Sequence, residues 1–166
     1  MNWLWTFGVI SVALIASTIA YNLLMRSVYL SQKQDMINNF NDLYTKIQSV
    51  CLQEVGNYRY EKLKVYDFVR AIYVTDNTKE YEAKVIEKIR GKETNKAKNL
   101  CLQFKDEEKL RCVELDCNVT MPYLGALPHG IDIQLFVKRL LGEAPVKEYG
   151  LIISKVSGDE VEVKVE

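Results

Sequence analysis

The sequence has one histidine and three prolines, the first of them Pro122, and no Lys, Arg, Asp or Glu precedes Arg26. It has no glycine between Gly8 and Gly56. Each scarcity excludes something. With His129 alone, a multi-histidine metal centre cannot be built, and no acid or thiol pattern surrounds it to make a general base, so it reads as a loop or cap residue. No nucleophile elbow, phosphate loop, zincin helix or dinucleotide fingerprint occurs. The carboxylates concentrate in a turn and on helix surfaces, and Asp116 has no evident partner. These absences point away from an enzyme, and no cofactor or metal is expected.

Charge of one sign is also missing: 22 basic residues balance 22 acidic ones over 166 residues. A duplex-binding protein needs a basic footprint, so nucleic acid is not an expected partner. The length allows one modest domain.

What is present is unevenly spread. The uncharged run from Trp3 to Met25 exceeds the roughly 20 residues that cross a hydrocarbon core. Trp3, Trp5 and Tyr21 suit the interfacial aromatic positions of a span. No basic n-region precedes the run, so a retained anchor is expected rather than a cleaved signal. Ala13, Ala16, Ser17 and Ala20 share one helix face, where small residues allow close helix approach in lipid.

Without proline or glycine to stop it, the helix should continue beyond the membrane. Met36, Phe40, Leu43, Tyr44, Ile47 and Val50 recur every three or four residues among polar ones, the mark of an amphipathic helix. That stripe must be buried, against the following domain or between subunits. The expected organisation is an anchor over residues 1–27, a helical stem over 28–50 and a head over 51–166.

In the head, the segment KLKVYDFVRAIYVTD suits either a helix or a bent strand. A helix is expected over Thr78–Arg90 and another over Asp132–Leu141, each stopped by a glycine. Leu100–Phe104 and Leu110–Leu115 flank a polar turn and form a hairpin in which Leu102 faces Val113. A third strand is expected near Asn118–Tyr123, and Tyr149–Val156 with Val161–Val165 forms a terminal hairpin. The fold class is α+β: the membrane helix running into a long amphipathic helix, then a largely antiparallel sheet with two packed helices.

Cys51, Cys101, Cys112 and Cys117 lack zinc-ligand spacing and suit two disulfides, with three connectivities open. In the expected hairpin alignment Cys101 and Cys112 are diagonal, so each could reach Cys51 or Cys117 instead. Asn118-Val-Thr120 is a glycosylation sequon. Cysteines and sequon favour an extracytoplasmic head, against Arg26 and Lys33, whose position after the span favours the opposite orientation. The external head is the expectation.

A membrane helix running on as an amphipathic stem into a disulfide-bearing head resembles the layout of type IV pilins and pilin-like proteins. The run Leu-Arg-Cys112 to Cys117-Asn-Val-Thr-Met-Pro-Tyr is similar to archaeal surface proteins. The resemblance implies a structural or interaction subunit of a cell-surface assembly, packing through Ala13, Ala16, Ser17, Ala20, Met36, Phe40, Leu43 and Ile47. Its partners would be the lipid bilayer, further copies, or other membrane or surface proteins. MNWLWTFG has no charged leader and the span no acid, so the alternative is an anchored binding module with the helix as a passive spacer.

Overall fold

The computed structural model describes residues 3–76, 89, 93–107, 109–125 and 146–166. The expected helix over Thr78–Arg90, apart from the buried helical Ile89, lies outside these residues. So do His129 and the expected helix over Asp132–Leu141.

One helix, α1, runs unbroken over Trp3–Cys51. The chain forms two units, Met1–Asp35 and Met36–Glu166. In the first, α1 includes a stretch long and apolar enough to cross a membrane, and its large side chains from Trp5 to Leu24 are exposed. Ala13, Ala16, Ser17 and Ala20 are exposed too. The Ser17 and Thr18 hydroxyls donate back to the Leu14 carbonyl, which removes two polar groups from an apolar stretch.

The second unit begins inside the stem. Met36, Phe40, Leu43, Ile47 and Val50 are buried in one core with residues from all six strands. The stripe is therefore used within its own chain, in the same unit as the sheet. An apolar helical face of this length has too little stability alone in water, and packing against a sheet supplies it.

Six strands follow: β1 Tyr58–Tyr66, β2 Val69–Val74, β3 Thr94–Phe104, β4 Arg111–Pro122, β5 Val146–Ser157 and β6 Glu160–Val165. Their order in the sheet is β1-β5-β6-β4-β3-β2. All neighbours are antiparallel except β4 and β6, which are parallel. The segment that suited helix or bent strand is thus two strands, interrupted only at Asp67 and Phe68.

Those two residues dictate the shape of the sheet. β1 and β2 occupy its opposite edges, which in a flat six-stranded sheet would stand roughly 24 Å apart. The link from Tyr66 to Val69 spans at most about 11 Å. The sheet must curl until its edges meet. The strand directions make β1 and β2 one bent strand, pairing with β5 in its first half and β3 in its second. Taken as one, it lies between β3, which a hairpin joins to β4, and β5, which returns to its other side, the strand order of a Greek key. With β6 between β4 and β5, the six-stranded sheet curls into a partly open barrel.

The β3–β4 hairpin differs from expectation in register. Leu100 faces Val113, Cys101 faces Cys112 and Leu102 faces Arg111, two residues away from the predicted alignment. A shift of two keeps every side chain on its expected face but makes Cys101 and Cys112 direct partners. The expected third strand is the continuation of β4. Between the pairs Ala97–Val119 and Asn99–Glu114, β3 contributes only Lys98 while β4 contributes Leu115, Asp116, Cys117 and Asn118. The surplus bulges from the ladder.

That bulge is where α1 is fastened. Cys117 bonds Cys51 at the end of α1, and Cys101 bonds Cys112 across the hairpin. Gln48 Nε2 donates to Asp116 Oδ2, and Gln48 Oε1 accepts the Asp116 backbone N–H at 3.2 Å. Lys155, only 4% exposed, donates from Nζ to the Cys51 carbonyl at 2.7 Å. A cation there satisfies an orphan carbonyl at the negative end of the helix dipole.

On the outer face of β2, β3 and β4 a smaller core gathers Ala71, Tyr73, Ile89, Cys101 and Tyr123, with the Tyr73 and Tyr123 rings stacked at 4.8 Å.

Candidate functional site

Asp116 is engaged with Gln48 and serves as a fastening point for α1. Among the described residues no cluster of three His, Cys, Asp or Glu side chains could hold a metal ion. Asn118 is half-buried on β4, its Nδ2 donating to Asp159 Oδ2 at 2.7 Å and its backbone N–H to the Asp159 carbonyl at 3.0 Å. The sequon's other polar residue, Thr120, donates from Oγ1 to Glu160 Oε1 at 3.1 Å. Both sequon side chains thus hold the β5–β6 turn. Lys96 reaches the other Glu160 oxygen at 2.7 Å. Hydrogen bonds from Lys96 and then Thr120 hold the Glu160 carboxyl below its ordinary value of 4.5.

The feature with the form of a binding site is elsewhere. A cleft of about 510 Å³ opens at one mouth of the barrel, lined by Ile89, the β4 end from Pro122 to Leu124, the β5 start from Lys147 to Gly150, and Val165 with Glu166. Its volume falls within the range of small-ligand sites, about 300–1,000 Å³.

The cause lies in the ladder between β4 and β6. Parallel pairing runs only from Asn118–Glu160 to Thr120–Glu162. The Asn118 N–H donates to the Asp159 carbonyl at 3.0 Å, so the donors that β4 turns toward β6 come from residues 118, 120 and 122. Residue 122 is proline. It has no N–H, and the ladder stops where its next hydrogen bond would fall.

Polar and apolar groups then share the walls. The Tyr149 hydroxyl donates to the Gly125 carbonyl at 2.7 Å and accepts the Gly125 N–H at 3.3 Å, which ties the end of β4 to β5. Gly125 is required there, since a Cβ would stand 2.4 Å from the Arg70 carbonyl oxygen and 2.7 Å from Ile89 Cδ1. The Lys147 ammonium lies 4.5 Å from the Tyr149 ring centroid, a cation–π arrangement. At the rim the Tyr60 hydroxyl donates to Glu166 Oε2 at 3.0 Å, which raises the tyrosine's pKa, chiefly through that hydrogen bond.

None of the cleft residues was singled out from the sequence. The available signal was Pro122 inside an otherwise regular strand pattern, which marks an edge or a break in pairing. Tyr149, Lys147 and Glu166 carry no such mark, because only the barrel brings the start of β5 and the ends of β4 and β6 together. Compared with known proteins, the chain matches no family model, no curated protein sequence and no solved structure.

Proposed function

We propose that this protein is a membrane-anchored binding module whose head lies outside the cytoplasm and takes a ligand in the cleft between Pro122–Leu124 and Val165–Glu166. The observation that carries the reading is the use of the amphipathic stripe. Met36, Phe40, Leu43 and Ile47 fill the head's own core, so they offer no face to a neighbouring subunit, whereas the cleft is open among the described residues. Two disulfides with no free cysteine among the described residues favour an oxidising compartment.

A second reading, the pilin-like subunit of a surface assembly, keeps one observation. Ala13, Ala16, Ser17 and Ala20 form an exposed face on α1 that suits close helix packing in lipid.

Photo-crosslinking in native membranes separates the two. A benzoylphenylalanine at Lys147 should yield an adduct with a molecule other than this chain, and one at Ala16 should yield none with further copies. A ladder of self-adducts from Ala16, with nothing from Lys147, would favour the assembly. A membrane-impermeant maleimide applied to intact cells after reduction should label the head; protection would overturn the external placement.

A further inference from the structure

The backbone around the cleft specifies a class of ligand more narrowly than its side chains do. In the β5–β6 hairpin the Glu166 N–H donates to the Gly150 carbonyl at 3.0 Å. Residues 166 and 150 are therefore a hydrogen-bonded pair, and by alternation so are Lys164–Ile152 and Glu162–Ser154. Val163–Ile153 and Val165–Leu151 are the intervening pairs, whose N–H and C=O groups turn away from β5. They point to the side on which β4 lies; the Thr120 carbonyl takes the Val163 N–H, and β4 stops pairing there because residue 122 is proline, which leaves the Val163 carbonyl and the Val165 N–H and carbonyl beyond the ladder.

Among the described residues, the result is a strand edge inside a cleft. Val165 is 42% exposed and, with Glu166, forms one wall. Facing it are Pro122, Tyr123 and Leu124, and Tyr149 with Ile89 completes an apolar lining. A backbone edge recognises another backbone, and an apolar lining accepts side chains that alternate away from it.

We propose that the cleft binds an extended peptide segment, which adds as a short strand along β6 at Val163–Val165 and sets an apolar side chain against Tyr123 and Tyr149. The proposal rests on the binding-module reading and narrows it to a peptide ligand. The edge is short, about 7 Å from Val163 to Val165. It offers two or three main-chain hydrogen bonds, so the rest of the affinity comes from the apolar side chain.

The test uses the full-length protein in lipid nanodiscs and pools of fluorescent L-hexapeptides, capped at both ends, with apolar residues at alternate positions. At least one pool should raise fluorescence polarisation. Within a binding peptide, N-methylation of the amides that meet the edge should weaken affinity about fivefold to tenfold, the loss of one or two neutral hydrogen bonds. Val165→Pro removes an N–H that makes no bond to β5, so it should weaken the same peptides by a similar factor with both disulfides and the circular dichroism unchanged. Pro122→Ala is the second variant: it restores the missing donor, lets β4 and β6 zip together, and should abolish peptide binding.

Pools that do not bind, or whose binding ignores both N-methylation and Pro122→Ala, would overturn the proposal. So would a Val165 amide already protected from hydrogen exchange without peptide, which would mean that the chain itself or a second copy covers the edge. A surviving Lys147 photo-adduct with a non-peptide molecule would retain the module and discard the peptide.

Discussion

Truncating Leu43 tests whether the amphipathic stripe belongs to the head of its own chain. Leu43 is 1% exposed and lies in the core between Phe40 and Ile47 on α1 and the inner face of the barrel. Leu43→Ala removes three carbon atoms from a site that cannot easily collapse, because Cys51–Cys117, Gln48–Asp116 and Lys155 hold the same helix end in place. Buried leucine-to-alanine changes cost about 2–5 kcal/mol, and restricted relaxation puts this one in the upper half of that range. Against a typical total of about 5–15 kcal/mol the loss is large. Urea unfolding of the full chain in detergent micelles, followed by near-ultraviolet circular dichroism, would measure it at several protein concentrations. An intramolecular core predicts a midpoint independent of concentration. A stripe packed between copies would instead gain about 2.7 kcal/mol of apparent stability per dimer for each hundredfold rise in concentration. A concentration-dependent midpoint, or a cost for Leu43→Ala below about 1 kcal/mol, would refute the assignment of residues 36–51 to the head.

Three further outcomes are expected. Replacing both cysteines of Cys51–Cys117, which are 66 residues apart, should cost about 4 kcal/mol by the loop-entropy relation, and replacing Cys101–Cys112, 11 apart, about 3; urea midpoints in the reverse order would contradict it. Gly125→Ala should destabilise the head by about 2 kcal/mol or more, because the obstructing Arg70 carbonyl is backbone and cannot swing aside; thermal unfolding reads the loss, and a neutral variant would show that the end of β4 is not held as described. The depressed Glu160 carboxyl contributes stability that is fully present above its ordinary value of 4.5 and is lost as pH falls through its lower folded value. In Lys96→Met its titration, followed by carboxyl carbon NMR, should move up toward the ordinary value, and an unchanged titration would remove Lys96 as the cause.

The two-residue register difference at Cys101 and Cys112 shows where sequence patterning stops. Alternation assigned Leu100, Leu102, Val113 and Leu115 to one face and both cysteines to the other, and a slip of two residues leaves such faces unchanged. Pairing was therefore invisible to it. The long bulge at Leu115–Asn118 was invisible for the same reason, since β4 alternates without a break from Val113 to Pro122. The segment around Asp67 and Phe68 was ambiguous because a strand that bends to serve both ends of a sheet shows neither a clean period of two nor one of 3.6.

The amino-acid sequence by itself determined the features that depend on near neighbours in the chain. These are the uninterrupted apolar helix, its amphipathic continuation, the α+β class, the terminal hairpin and a cysteine set suited to two disulfides. Only the tertiary structure decided what closes on what: that the stripe from Met36 to Val50 fills its own head, that Cys51 meets Cys117, and that β1 and β2 are one bent strand. The cleft belongs to this second group. Pro122 lacks an N–H wherever it stands, but that lack opens a site only because the barrel lays β6 alongside it, a juxtaposition of residues some 40 positions apart that no local pattern encodes.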